Sequence, residues 1–467
     1  MTVRHRRRST GNVIPTTPRY FQPPAWPVGG HRTMGQAERG GSRLLAFEVR
    51  ASRTMNNSEA ASLVRPSASG RRVLIVGGST RAAAWSAVRA GWMPICADLF
   101  ADLDTRQVAE IVPVRDFPAS LPEDVASVQA DGWFYTGGLE NHPDIIERML
   151  RPNAPYGRLW GTPPAALRLV RDPFWLAETL RTAGLPTLDV LPDSSPPPAD
   201  GTWLQKPLAS AGGRAIRVWN REAASRDFGE PHYFQRRAAG DSCSAVFRAL
   251  GGQVEWLGAS QQLTNFEASR ASMAFNYCGS LGPIDQPGSS VSMSAESRNM
   301  VTLIAKTLAR ASGLHGLFGI DFMLDRDGVW MTELNPRYTA SIEILELARR
   351  QSLLAELVEG GSKNSFDSPT EDGTLTHEPF EFMAKAILYT RRSFTAPDLS
   401  QFMHCESPWH MPFLADVPAP GTVIDAGWPI CTVFANGRSP QHCLSALSAR
   451  SHTVRTHCVE SDDSAIS

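Results

Sequence analysis

Asp321, Glu333 and Asn335 lie in the stretch FGIDFMLDRDGVWMTELNPRYTASIEILE, residues 318–346, at a spacing that could assemble a cation site. Phe318, Ile320, Phe322 and Leu324 alternate with Gly319, Asp321 and Met323, the period of a strand that turns Asp321 away from its apolar face. Arg326-Asp327-Gly328 suits a three-residue hairpin loop with Gly328 in the left-handed position. That register sets Asp321 opposite Glu333, with Asn335 two residues along on the same face. Facing carboxylates repel. A hard divalent cation with oxygen ligands, most often magnesium with nucleotide phosphates, turns the repulsion into binding. The expectation depends on register: a two-residue loop would set Thr332 opposite Asp321 instead. An exposed polar hairpin face is the plain alternative.

The second feature is a lysine. The chain has 46 basic residues, and lysine supplies only Lys206, Lys306, Lys363 and Lys385. Lys206 ends an apolar run in WLQKPLASAGGRAIRVW, residues 203–219. A position that keeps lysine in an arginine-dominated chain suits a compact ammonium rather than a planar fork. The lysine precedes Gly212 and Gly213, so the order is not that of a P-loop. A lysine held on a strand can still neutralise phosphate, and ASAGGR, which includes Ser210, supplies a flap whose backbone N–H groups can fold over it. A β-turn with an exposed lysine is the alternative. Past the hairpin, Arg337 offers a fork-shaped donor for phosphate or carboxylate. Glu343 lies near a helix start, where an acid is favoured on structural grounds alone.

These residues need elements to hold them. The length of 467 residues allows two to four domains, and 42% hydrophobic with 20% charged residues is ordinary for a soluble globular chain. A net charge of −1 gives no general attraction to nucleic acid or membrane surfaces. Seven scattered cysteines without a C-x-x-C pair argue for a reducing cytoplasm and against a zinc ribbon, and no apolar run reaches membrane-helix length. Residues 1–70 are rich in Arg, Pro, Ser and Gly without apolar period. They are expected to be disordered, as an over-extended reading frame with Met55 as its start or, alternatively, a basic arm. RRVLIVGGSTRAAAWSAVRAGWMPICADLF then reads as strand, Gly77-Gly78-Ser79 turn, helix from Arg81 to Ala90, and strand ending at Asp98. The glycine pattern is incomplete for a dinucleotide site, leaving Asp98 as a weak ribose candidate. A second strand leads to Gly137-Gly138 and a helix with Ile145, Ile146 and Met149 on one face. Two short helices broken at Pro173, a strand-rich stretch to Leu281, a helix over 294–312 and the hairpin follow. Residues 360–374 read as a linker, and the remainder as a small β-rich domain.

The order of strand lysine, glycine flap, HYFQRRAAGDSCSAVF, GIDFML and TELNPR resembles the ATP-grasp superfamily over roughly residues 71–360. The resemblance implies an α/β fold with a Rossmann-like pre-ATP-grasp domain at 71–160. It also implies a two-lobed α+β ATP-grasp domain at 161–360, with the linker and small β-rich domain at 361–467. By that likeness ATP and Mg2+ (or Mn2+) are the cofactors. Lys206, Ser210, Gly212 and Gly213 hold the phosphates, and Phe234 to Ala238, with Gln235, Arg236 and Arg237, forms the adenine hinge. Asp241 or Ser242 stands for a ribose-binding acid, and Pro173 replaces a phosphate-binding lysine. Asp321, Glu333 and Asn335 hold the metal, while Lys206, Arg337 and Glu343 are the catalytic candidates. Ser79, Arg81, Gly138, Glu140 and Asn141 are expected to meet substrate. GGSTRAAAWSAVRAG, GGLEN and NPRYTASIE are similar to predicted carboligases related to biotin carboxylase. That branch includes proteins resembling the tyramine–glutamate ligase of methanofuran biosynthesis, in one-carbon metabolism. The expected activity is joining a carboxylic acid to an amine, with a biotin-carboxylase-like carboxylase, a non-catalytic ATP-binding regulator and a dinucleotide-dependent oxidoreductase as alternatives. The sequence leaves the oligomeric state open, with a homodimer as one option.

Overall fold

A run buried on both faces reads as continuous apolar sequence, and Val73, Leu74, Ile75 and Val76 are each fully buried. In the computed structural model they belong to the strand Arg72–Gly77, which pairs in parallel with Met93–Asp98 on one side and Gly132–Tyr135 on the other. Glu110–Val112 and Arg158–Leu159 complete a five-stranded parallel sheet. The helix Arg81–Arg89 packs on the Val73 and Ile75 face, and Pro143–Met149 on the Leu74 and Val76 face. Strand order reverses between the two central strands, which opens a crevice at their carboxyl ends. There the Gly78 N–H donates to the Gly137 carbonyl at 2.8 Å.

The structure describes residues 70–358 and 382–463, apart from 272, 292, 356, 404 and 406. The expected N-terminal extension up to residue 69 and the 360–374 linker lie outside the described residues.

Two large antiparallel sheets follow the parallel one, beside the short antiparallel pair of Phe394–Thr395 with Val423–Ile424. The smaller has four strands in the order Val190–Pro192, His232–Arg236, Asp200–Pro207, Arg217–Asn220. The larger has eight, beginning Gly328–Asn335, Gly316–Asp325, Asp241–Leu250, Gln253–Thr264, Tyr277–Gly282. The helix Ala295–Ser312 backs it, presenting Val301, Ile304, Ala305 and Leu308 at helical spacing. Each larger aliphatic side chain buried there contributes roughly 1.5–3 kcal/mol. Ser294 caps the helix by accepting from the Ser297 N–H, and Gly313 ends it at φ +78°.

The C-terminal segment departs from the expectation of a separate small β-rich domain. Its strands Phe382–Tyr389, Pro429–Gly437 and Leu414–Ala415 extend the large sheet, starting from a pairing of Phe382–Tyr389 with Tyr277–Gly282. The long helix Pro440–Asp463 also belongs to it. Cys443, Leu447, Val454 and Cys458 bury one side of that helix. Cysteine and small polar residues dilute the apolar stripe, so its period is faint in the sequence.

Candidate active site

The hairpin delivers the expected pairing by an unexpected route. Its turn is two residues long, with Asp325 opposite Gly328, and Asp325 Oδ1 accepts from the N–H groups of Asp327 and Gly328. That turn alone would have set Thr332 opposite Asp321. A bulge at Thr332 shifts the register, so Phe322 faces Met331 while Asp321 faces Glu333. Asn335 Nδ2 donates to Asp321 Oδ2 at 3.0 Å, which brings all three oxygen-bearing groups to one place.

The bulge has a second consequence. The Thr332 carbonyl accepts from Lys206 Nζ and from Gln235 Nε2, each at 3.2 Å. Lys206 also donates to Gln235 Oε1 at 3.0 Å and is 6% exposed. Its two hydrogen-bond partners are neutral oxygens, so a buried ammonium faces the hairpin without a carboxylate bonded to it.

Three cations surround the acids. Arg171 Nη1 donates to Glu333 Oε1 at 2.7 Å, and its Nη2 reaches Asn141 Oδ1 at 3.0 Å and the Ser210 carbonyl at 3.2 Å. Arg337 Nη2 donates to Asn335 Oδ1 at 3.1 Å, and its Nε to Glu140 Oε1 at 2.6 Å. Glu140 and Asn141 leave the parallel sheet, so this chain of contacts ties that sheet to the hairpin. Burial first, and the neighbouring Glu333 second, push the Asp321 carboxyl up to about 6. Burial also pulls Glu333 upward, but Arg171 and Lys206 outweigh it and hold the carboxyl below its ordinary value.

Two carboxylates and an amide oxygen are hard donors suited to magnesium, and the strain on Asp321 is of the kind a cation relieves. Among the described residues no three or more His, Cys, Asp or Glu side chains gather around a metal position. The protein alone would thus supply a partial shell, as fits an ion that keeps waters and substrate phosphates. A cleft of about 600 Å³, counting its mouth, opens between this strand and the small sheet. Leu188, Val190, Met331 and Leu334 line it beside Lys206, Ser210, Gln235 and Arg171.

Other expected residues divide into those near this cleft and those away from it. The flap is docked: the Tyr277 N–H donates to the Gly212 carbonyl at 3.0 Å. Gly213, at φ +75°, passes so close that a Cβ would lie 1.9 Å from the Phe275 carbonyl oxygen. Arg236 is exposed, donates to Thr202 Oγ1 and lies over the Trp203 ring, while the Arg237 N–H bonds to the Thr202 carbonyl. Asp241 is exposed, and Ser242 Oγ donates to Gln262 Oε1; neither lines the cleft. Ser79 is exposed beside Gly78, and Gly138 takes φ +100° to turn the chain at the same crevice. Asp98 is consumed locally, accepting from the Thr80 N–H and hydroxyl and from the Phe100 N–H, which removes its case as a ribose ligand.

Arg81 and Glu343 are brought together, but not to the cleft. Arg81 is 2% exposed and bonded to Glu343 and Asp416; Lys385 Nζ donates to Glu343 Oε2 at 2.9 Å. The network joins the first helix, the helix Ser341–Arg349 and the C-terminal strands. In this geometry Glu343 is a structural tie rather than a group poised for chemistry. Burial would raise its pKa, but Arg81 and Lys385 outweigh that and hold it at about 2. Because the folded value lies below the unfolded one, the stabilisation is complete above about pH 4.3. It is lost as pH falls through about 2. Glu343→Gln leaves two buried cations undercompensated, and urea unfolding at neutral pH should show a loss of about 3–5 kcal/mol. A loss under about 1 kcal/mol would contradict this role.

Sequence reasoning missed Arg171 and Lys385. The rarity of lysine, which singled out Lys206, applied equally to Lys385. Arg171 carried no such signal, because it is one arginine among many at a helix end.

Residues 170–341 match the ATP-grasp domain family. The crystal structure of an L-amino acid ligase from Bacillus licheniformis resembles this fold with a TM-score of 0.57 at 12% identity, over 82% of this chain and 97% of that one. The biotin carboxylase domain dimer of the Hydrogenobacter thermophilus 2-oxoglutarate carboxylase, in complex with MgADP, ADP and bicarbonate, gives 0.53 at 14% identity, over 81% and 88%. At such identities the likeness is one of fold. Uncharacterized protein MJ0776 of Methanocaldococcus jannaschii is 27% identical over 122 residues, and the match spans 26% of that relative and 26% of this chain.

Proposed function

Residues 170–341 form an ATP-grasp domain, and from that premise we propose that the protein is an ATP-dependent carboxylate–amine ligase working through an acyl phosphate. The observation that carries the reading is the pairing of Asp321 with Glu333 inside a ring of Lys206, Arg171 and Arg337. The apolar end of the cleft at Leu188, Val190, Met331 and Leu334, next to Gln235, has the lining to receive a purine once it widens. Lys206 and the docked Gly212-Gly213 flap would then meet the phosphates. Asp321, Glu333 and Asn335 would hold magnesium, which supplies charge neutralisation to the phosphates.

An oxygen of the substrate carboxylate attacks the terminal phosphorus, ADP departs, and an acyl phosphate forms. The amine then attacks the acyl carbon and phosphate leaves. Phosphoryl transfer draws its acceleration mainly from positioning and neutralisation, which is what Lys206 and Arg337 can provide.

Arg171 takes up the role left open by Pro173. Its Nε is buried and has no hydrogen-bond partner among the described residues, a spare charged donor beside Lys206. Arg171→Met should raise the KM for ATP about 10- to 100-fold, the worth of one charge-assisted hydrogen bond. Steady-state kinetics that leave KM within about twofold would count against it.

None of the seven cysteines forms a disulfide, which supports a reducing, cytoplasmic setting. No described helix is long and apolar enough to cross a membrane. The test of the reading is ADP release from magnesium ATP with paired acids and amines. Glutamate and tyramine, a pair from one-carbon cofactor biosynthesis, come first, and bicarbonate is included among the acids. Release that requires both an acid and an amine supports the ligase. ATP binding without ADP release in any mixture would instead assign a regulatory protein.

A further inference from the structure

A carboxylate oxygen sealed from water without a donor is costly, so its presence in a crevice calls for a ligand that donates. Glu140 is 1% exposed. Its Oε1 accepts from Arg337, whereas its Oε2 is buried with no hydrogen-bond partner among the described residues. The residue sits in the turn Leu139–Asn141, at the carboxyl end of the two central parallel strands where strand order reverses. Four glycines keep side chains out of this place: Gly77, Gly78, Gly137 and Gly138. A Cβ on Gly137 would already touch the Arg337 guanidinium at 3.6 Å.

We propose that Glu140 Oε2 receives the amine substrate of the ligase as a primary alkylammonium ion and takes its proton before attack. The inference rests on the ligase reading above and names the chemistry of its second substrate. Charge sorts the two substrates. Arg171 and Arg337 favour the carboxylic acid and the phosphates, and Glu140 repels both while attracting a cation. Distance fits as well, since the single Arg337 guanidinium spans from Glu140 to Asn335 beside Asp321. An amine held at Oε2 therefore lies one guanidinium away from the phosphate-binding cluster.

The chemistry balances. An alkylammonium has no lone pair and near neutral pH is almost wholly protonated. Glu140 accepts one proton, and the freed nitrogen pair forms the bond to the acyl carbon. The C–O bond to phosphate breaks with its electrons on oxygen. The second nitrogen proton leaves with the phosphate as hydrogen phosphate, and Glu140 returns its proton to solvent.

Hydroxylamine separates this role from a structural one, because it is uncharged near neutral pH and needs no carboxylate to expose its nitrogen. With the full-length protein, magnesium ATP and each acid of the panel, hydroxamate formation is compared with amide formation from methylamine and tyramine. In Glu140→Gln the ratio of alkylamine to hydroxylamine kcat/KM should fall on the order of 100-fold, the usual worth of a general base. Loss of Arg337 positioning alone would lower both rates and leave the ratio in place, as would any purely structural damage. A ratio within about threefold of wild type overturns the proposal. Should that variant fail to fold, Glu140→Asp asks the same question through a shortened carboxylate, with a fall of about 10-fold expected and an unchanged ratio overturning it. A wild-type protein that makes neither hydroxamate nor amide with any acid overturns the ligase reading itself, an outcome distinct from an altered or unaltered ratio.

Discussion

Lys206→Ala is expected to lower ADP release by about 10³-fold while the protein remains folded. The size follows from removing a preorganised charge from a water-poor phosphoryl-transfer site, where single groups are worth about 10²–10³ in rate. The fold survives because neither acceptor of the ammonium depends on it alone. The Thr332 carbonyl keeps the Gln235 Nε2 donor at 3.2 Å, and Gln235 Oε1 can turn toward the water that enters. Taking a buried cation away from two neutral acceptors also removes a desolvation burden, so the stability change should stay within about 1–2 kcal/mol. Circular dichroism and urea unfolding report the fold, and a coupled ADP assay reports turnover. Wild-type turnover in a folded variant would refute the assignment.

Glu333→Gln should raise the magnesium concentration for half-maximal activity about 10- to 100-fold, the scale on which ligand changes move metal affinity. Two effects add. The amide supplies a weaker oxygen to the ion, and Arg171 loses the carboxylate that fixes it at 2.7 Å. The freed guanidinium then raises the local positive charge against a second cation. A magnesium titration at saturating ATP measures the shift, and an unchanged midpoint would count against the hairpin site.

Much of this was legible in the sequence because a short-range pattern encoded it. The first parallel strands, the helix expected over 294–312 and found at Ala295–Ser312, and the helix break at Pro173 each follow from period or proline. The pairing of Asp321 with Glu333 was foreseen, but the loop invoked for it was not the one that produces it. A three-residue turn and a two-residue turn with a bulge give the same facing pair. Nothing local in MTE marks Thr332 as the extra residue, since the bulge is stabilised by Lys206 and Gln235 more than ninety positions away.

Long-range burial explains the remaining differences. Arg81, expected to meet substrate, and Glu343, expected to be catalytic, carry suitable groups and sit near the right motifs. Their partners Asp416 and Lys385 arrive from the C-terminal strands and convert them into a buried tie. The same strands join the large sheet through Phe382–Tyr389, a pairing that composition cannot disclose because any β-rich segment could equally close on itself. Arg171, which we propose in place of a lysine contact expected two positions along, lines the cleft, and only the folded chain shows its reach.

The most direct test of the cation site is a crystal structure with manganese and a non-hydrolysable ATP analogue. The account predicts an anomalous peak bonded to oxygens of Asp321, Glu333 and Asn335, with the triphosphate reaching Lys206 Nζ beneath the 212–213 flap. Manganese bound elsewhere, or a triphosphate lying away from Lys206, would contradict it.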